Sequence, residues 1–312
     1  MSPLDIELIL AHVLKKSREY IIAHPEYELT KLQIAHYKLL IAKRLNGIPI
    51  AYITGKKEFY GLKFKVNKNV LIPRPETELM VEEALKLATQ SSQRVILTDV
   101  GTGSGCVIIA LAKQIANCLA TPDLAKPDEL HPPAGGTNYK FIATDISAKA
   151  LAVARQNAKL HGVAKNIKFI KGNLLEPLTK ILDSLPAFAR TKGRGNDKKK
   201  KLSKSKFVIL ANLPYLTPTQ IKNSPSIKHE PDLALSGGKN GLELYKKLFQ
   251  QINCLIHDTK YKIQNTLFIL CEIDPGQTAK IKQLVKRELP QATCQIKKDL
   301  FGLNRLVIIK II

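Results

Sequence analysis

"RVILTDVGTGSGCVIIALAKQIA", residues 94–116, is the stretch that decides the fold. It opens with a Val/Ile/Leu-rich run, the texture of a strand buried on both faces. It closes with an apolar helical pattern starting at Cys106. Between the two stands Asp99-Val100-Gly101-Thr102-Gly103-Ser104-Gly105. Glycines in such a loop let the backbone turn tightly and let a ligand approach with no Cβ in the way.

Downstream, "YKFIATD", "IKFIKG", "KFVILAN" and "TLFILCEI" read as further strands. Helical patterns such as "SAKALAVARQNAKLHG" and "GLELYKKLFQQINCLI" separate most of them. Strands alternating with helices predict an α/β fold with a parallel sheet covered on both faces. "ATCQIKKDLFGLNRLVIIKII" adds two strands joined by a Gly/Asn turn.

Upstream, residues 1 to about 50 are helical by pattern. Ser2 is the expected N-cap of the first helix, with Pro3 at its first position and Asp5 closing a capping box. In "LTKLQIAHYKLLIAKRLNG" a broad apolar stripe of Leu32, Ile34, Ala35, Leu39, Leu40 and Leu45 ends at Gly47. Residues 50–72 carry the alternation of a hairpin, and "PRPETELMVEEALKLA" starts a helix with Pro75 in its first turn. The expected division is a helical domain over 1–54, a hairpin linker over 55–74 and a catalytic domain over 75–312. Two long insertions, about 120–138 and 186–206, should lie on the surface.

The bulk numbers exclude several classes. A length of 312 residues suits two domains. No apolar run approaches the roughly 20 residues of a membrane span. Acidic residues Asp5 and Glu7 interrupt what would be a signal-peptide core. Five scattered cysteines without C-x-x-C, and seven histidines without H-E-x-x-H, predict no disulfide framework and no metal, and suit a reducing cytoplasm. The net charge of +23 suggests contact with nucleic acid, but 186–206 alone contributes +8. That segment reads as a solvated insertion, a candidate for weak proximity to nucleic acid or the ribosome.

The glycine loop is G-x-G-x-G, whereas the dinucleotide fingerprint places its third glycine one residue later. The spacing favours S-adenosyl-L-methionine, which has no pyrophosphate to cradle. Asp145, ending the second strand of the unit, is placed to accept from ribose hydroxyls or to cap the helix that follows. Ligands bind at the carboxyl ends of such strands, and "KFVILAN" ends there in Asn212-Leu213-Pro214-Tyr215. The Asn212 side-chain oxygen and the Leu213 carbonyl, held extended before Pro214, could accept both hydrogens of a planar NH₂ group. Tyr215 would pack over it.

Together these segments resemble the PrmC/HemK family. "AYITGKKEFYGLKFKVNKNVLIPRPETEL", "DVGTGSGCVIIALAK", "HEPDLALSGGKNGLELYKKL", "CEIDPGQ" and "KDLFGLNRLVI" match it in order. The resemblance implies the class I S-adenosylmethionine-dependent methyltransferase fold. That fold is Rossmann-like, a mostly parallel seven-stranded sheet with an antiparallel C-terminal strand, here preceded by a small helical domain. It implies methylation of the glutamine amide in the GGQ loop of class 1 peptide chain release factors. It further implies that Gly101, Thr102, Gly103, Ser104, Gly105 and Asp145 hold the cofactor, with Asn173 and Leu174 beside the adenine. Asn212 would touch cofactor and glutamine, and Leu213, Pro214 and Tyr215 would complete the amide pocket. The N-terminal helices would help dock the release factor, and Arg74, Glu76 and Thr77 would lie beside the site.

Three departures stand out. Leu213 replaces the first proline of the family's usual N-P-P-Y, which removes the φ lock and adds an N–H. N-L-P-Y is common in ribosomal RNA adenine dimethyltransferases, which keeps an adenine N6-methyltransferase of RNA or DNA as the alternative. Those enzymes carry their accessory domain after the catalytic one and lack "IPRPETE". Asn173 and Leu174 stand where an Asp and a bulky aromatic are usual. A glutamine methyltransferase of a ribosomal protein, and a binding module without catalysis, complete the readings.

Overall fold

A computed structural model describes residues 1–91, 94–120, 139–178, 205–257 and 267–311. The insertion expected over 120–138 lies outside the described residues but for Ala120, the last residue of a helix. The basic segment 186–206 also lies outside them, except that Ser205 and Lys206 begin a strand.

Among the described residues, seven strands form one sheet. They are β3 (Arg94–Val100), β4 (Tyr139–Asp145), β5 (Ile167–Lys171), β6 (Ser205–Ala211), β7 (Leu267–Glu272), β8 (Thr293–Lys298) and β9 (Asn304–Ile311). Their order is β5-β4-β3-β6-β7-β9-β8. β3 to β7 pair in parallel, and β9 runs antiparallel between β7 and β8. The class I methyltransferase architecture is therefore present, with its one reversed strand at the C-terminal end of the sequence.

Helices cover both faces. α5 (Glu78–Thr89) and α6 (Cys106–Ala120) pack on one, joined at its edge by α7 (Ala148–Leu160). On the other face lie α9 (Glu243–His257) and α10 (Thr278–Glu288), with Tyr245, Phe249 and Ile252 fully buried against β6 and β7. A short helix α8 (Pro218–Lys222) follows β6. Every residue of β3 from Val95 to Val100 is buried, as a strand with helices on both sides requires.

A hairpin of β1 (Lys56–Phe59) and β2 (Leu62–Lys65) precedes the sheet domain. Its turn, Tyr60-Gly61, has φ of 50° and 69°, the two positive angles of a tight two-residue turn. Asn157 of α7 fixes this hairpin. Its side chain accepts from Lys65 N–H at 2.8 Å and donates to Lys65 O and Ser104 O at 3.0 and 2.9 Å. One fully buried amide thus ties the hairpin to the glycine loop.

Residues 3–54 hold α1 (Pro3–Leu14), α2 (Arg18–Ala23), α3 (Lys31–Leu45) and α4 (Ile50–Thr54). One sequence expectation fails here. Ser2 caps α1 by accepting from Asp5 N–H, but the Asp5 carboxylate does not close the box. It turns inward to Arg44 Nε at 3.0 Å and joins α1 to α3, because a half-buried guanidinium is a stronger partner than a backbone N–H. The stripe on α3 is mostly uncovered. Leu40 is buried with Ile9 and Val13, whereas Leu32, Leu39 and Leu45 are 80%, 55% and 69% exposed. Periodicity identifies the apolar side of a helix; it does not say that anything within the chain covers it.

Candidate active site

The loops that follow β3, β4, β5 and β6 converge at the carboxyl edge of the sheet, on a cavity of about 470 Å³. Gly101, Thr102, Gly103, Ser104, Asp145, Asn173, Leu174, Asn212, Leu213 and Pro214 all line it. Gly105 and Tyr215 stand behind the wall.

The glycine loop is held by backbone bonds from Gly101 and Thr102 N–H to Thr144 O, both 2.9 Å. Its three glycines have φ of 73°, 55° and 80°. At Gly105 a Cβ would meet Ile109 Cδ1 at 2.8 Å and Ala154 Cβ at 3.1 Å, so this glycine lets α6 and α7 close together.

Asp145 accepts from Gly103 N–H at 2.9 Å and Ser147 N–H at 2.8 Å. The cap of α7 is Ser147, not Asp145. Asp99, absent from the expected site residues, is buried in the same wall and accepts from the Thr102 hydroxyl at 2.6 Å. Burial pushes its carboxyl up to about 7; Thr102 opposes the rise and neighbouring Asp145 adds to it. Burial also raises Asp145, against the two N–H groups it accepts from. Among the described lining residues the one cation is Arg74, and it is paired with buried Glu230. The cavity is therefore short of positive charge on the side of the glycine loop. A cationic ligand relieves that; a pyrophosphate aggravates it.

The Asp99 carboxyl has a testable consequence. Between the ordinary carboxylate range and about pH 7 the folded chain holds a proton that the unfolded chain has released. Stability therefore falls as pH rises through that window. Asp99→Asn keeps an acceptor for Thr102 and lacks this dependence. Its urea midpoint relative to wild type is expected to be higher at about pH 8 than at about pH 5. Equal offsets at both would contradict a raised carboxyl.

Beyond β5, Leu174 has φ of 52° and its carbonyl accepts from the Thr144 hydroxyl at 2.9 Å. The Asn173 amide turns to Glu176 Oε1 at 3.2 Å.

After β6, Asn212 Nδ2 donates to Thr77 Oγ1 at 3.0 Å and to Glu272 Oε2 at 3.1 Å. No described residue donates to its Oδ1 or to the Leu213 carbonyl. The N–H that Leu213 adds in place of a proline is met by the Tyr245 hydroxyl at 3.3 Å. That hydroxyl also lies against the carbonyls of Ala211, at 3.2 Å, and Glu272. Tyr215 does not face the cavity. Its hydroxyl donates to Glu272 Oε1 at 3.2 Å, and burial beside that carboxylate raises the phenol. The loop is clamped from outside: Gln277 Nε2 donates to Tyr215 O at 2.8 Å, and Leu216 pairs with the Leu235–Gly237 backbone.

Besides Asp99, three residues at or beside the site escaped the sequence. Glu272 is reached by the hydroxyls of Thr77 and Tyr215 and by the Asn212 amide. Glu230 accepts from Ile72 N–H at 3.0 Å and pairs with Arg74, so "IPRPETE" is strapped to "HEPDLALSGG". Asn157 is the third. The segments "CEIDPGQ" and "HEPDLALSGG" were visible as matching stretches, but their partners lie far away in the chain. Thr77 and Glu272 are 195 residues apart, Ile72 and Glu230 are 158.

Residues 1–55 match the PrmC N-terminal domain, and residues 91–186 match a methyltransferase domain. The release factor glutamine methyltransferase of Coxiella burnetii is 33% identical over 305 residues, covering 98% of this chain and 90% of that protein. The chain belongs to the release factor glutamine methyltransferase family. The Bacillus cereus member is 29% identical, covering 96% of this chain and 90% of its own length. Among solved structures, the hMettl16 catalytic domain in complex with the MAT2A 3'UTR hairpin 6 aligns with a TM-score of 0.52 at 14% identity. It covers 81% of this chain and 76% of that one, and the likeness concerns the fold. In this member of the release factor glutamine methyltransferase family, no described helix is long and apolar enough to cross a membrane.

Proposed function

We propose that the chain transfers a methyl group from S-adenosylmethionine to the side-chain amide nitrogen of the glutamine in the GGQ loop of class 1 release factors. The observation that carries the site assignment is the anchoring of Asn212. With its NH₂ end turned to Thr77 and Glu272, its oxygen is the atom left for a substrate N–H. The cofactor fits the cavity chemically. The positive-φ glycine loop offers close backbone approach, and Asp99 and Asp145 suit a ligand bearing a sulfonium and an ammonium group. S-adenosylmethionine supplies, when bound, a methyl group on a positively charged sulfur.

The chain's own part is alignment. An amide nitrogen is a weak nucleophile because its lone pair is delocalised. Asn212 Oδ1 and the Leu213 carbonyl accept its two hydrogens, which aims the lone pair and places negative dipoles where positive charge develops. Pro214 and Leu233 give the cavity apolar wall that keeps water away. The nitrogen–carbon bond would form as the methyl–sulfur bond breaks, S-adenosylhomocysteine would leave with that electron pair, and one amide proton would pass to solvent. Gly101–Gly105, Asp145 and the Leu174 wall hold the cofactor. Tyr215 supports the pocket from behind, through Glu272.

The division into a docking domain over 1–54, a linker over 55–74 and a catalytic domain over 75–312 belongs to this reading. The uncovered Leu32, Leu39 and Leu45 on α3 are the face offered to the release factor. The basic segment 186–206 would add weak attraction to nucleic acid or the ribosome, and a cytoplasmic location suits such a substrate. Incubation with methyl-labelled S-adenosylmethionine and either release factor or ribosomal RNA tests the proposal. Label is expected in the release factor, lost when its GGQ glutamine is replaced. Label in RNA and none in protein would replace this reading with the adenine one.

A further inference from the structure

Glu272 and Thr77 meet Asn212 from opposite ends of the chain, and Glu272 lies outside the cavity wall. We propose that they form a positioning clamp that sets the orientation of the Asn212 carboxamide, so that its oxygen rather than its NH₂ group faces the substrate amide. The proposal rests on the reading that Asn212 receives that amide.

A free asparagine can present either end of its carboxamide, because the two ends differ little in shape. Both Glu272 oxygens receive a hydroxyl hydrogen, Oε2 from Thr77 and Oε1 from Tyr215, so each stands as an acceptor. The Asn212 atom 3.1 Å from Glu272 Oε2 must therefore carry hydrogens. Thr77 has a single hydroxyl hydrogen and directs it to the same Oε2 at 2.6 Å. It then has lone pairs alone to offer Asn212, at 3.0 Å. The NH₂ end therefore faces both acceptors, and a flipped amide would set oxygen against them. Glu272 is held in turn. Burial raises its carboxyl, against the hydroxyls of Thr77 and Tyr215 that donate to its two oxygens and the charge of Arg305 on β9, and the Tyr245 hydroxyl lies against its backbone carbonyl. The group is 2% exposed, so water does not compete for it. Family likeness points to the loop that bears Asn212; the clamp is visible only where three distant segments converge.

Four variants test it: Thr77→Val, Thr77→Ser, Glu272→Gln and Glu272→Leu. Each is assayed for kcat and KM with release factor, for S-adenosylhomocysteine affinity by calorimetry, and for the side-chain NH₂ signals of Asn212 by NMR, assigned by their loss in Asn212→Ala. Thr77→Val is expected to lower kcat about tenfold, the scale of one hydrogen bond, with KM and S-adenosylhomocysteine affinity within about twofold. Thr77→Ser restores the hydroxyl and should restore kcat. Glu272→Gln keeps an acceptor toward Asn212 and Thr77 and should stay within about threefold of wild type, whereas Glu272→Leu should fall further than Thr77→Val. The Asn212 NH₂ signals should move in Thr77→Val and return in Thr77→Ser. Unmoved signals, a Thr77→Val kcat within about twofold of wild type, or equal impairment of Ser and Val would overturn the clamp. So would a Glu272→Gln loss as large as that of Glu272→Leu. A wild-type enzyme inactive on release factor would refute the substrate reading instead, while the NMR signals would still report on the clamp.

Discussion

Asn212→Ala is expected to lower kcat for release factor methylation by about 10²-fold or more, the scale seen when one aligned polar group is removed from a transition-state site. Asn212 is half-buried at the tip of β6, and its NH₂ group is engaged on the protein side. Alanine removes the outward oxygen and leaves Thr77 and Glu272 with their own mutual bond at 2.6 Å, so the fold loses little. Affinity for S-adenosylhomocysteine should change by less than about tenfold, since at most one hydrogen bond to it is lost. Asn212→Asp is a sharper comparison. It keeps an acceptor oxygen but lacks the two donors and brings a second carboxylate against Glu272. Its loss should be at least as large. Near-normal turnover by either variant would remove Asn212 from the mechanism.

The second large effect concerns a residue that touches no ligand. Gly237 sits where a Cβ would lie 2.6 Å from both Pro214 O and Gly241 O, and 2.7 Å from Tyr215 Cα. These are backbone atoms and cannot swing aside as a side-chain tip would. Gly237→Ala must push the Leu213–Tyr215 loop off its seat. A displacement near 1 Å can cost about 10²-fold in rate when geometry carries the catalysis. The expected result is a kcat lowered by about 10–10²-fold with S-adenosylhomocysteine affinity changed less, because the glycine loop is held by Thr144 O and by Asp145, which the substitution does not touch. Calorimetry on the variant checks the second half. Cofactor binding lost together with rate would mean global damage rather than local displacement.

The catalytic sheet was legible from residues 94–116 outward because each of its elements is a local pattern. β3 is buried at nearly every position, and the loop after it needs glycine at three positive φ angles. The strand ends named the cavity, since a parallel sheet gathers its carboxyl edges in one place. What stayed hidden was pairing. Glu272, Glu230 and Asn157 read as an ordinary strand end, a loop carboxylate and a helical amide until the fold brings their partners to them. In the sequence Asp99 reads as the start of the loop, yet its burial beside Asp145 is a property of the packed site. Tyr215 was placed over the substrate from sequence order alone. The turn at Pro214 carries it instead behind the wall, to Glu272.

The reversed strand has a consequence for synthesis. β9 emerges from the ribosome after every other described strand of the sheet, yet it sits in the interior of the sheet, between β7 and β8. A chain halted after Lys298 and before Asn304 would expose the unpaired rims of both neighbours, open templates for aggregation. Arg305, whose backbone carbonyl accepts from Ile273 N–H just beyond Glu272, would also be missing. Truncated products would therefore be sticky and inert rather than partly active, and cellular proteases would have a clear mark by which to find them.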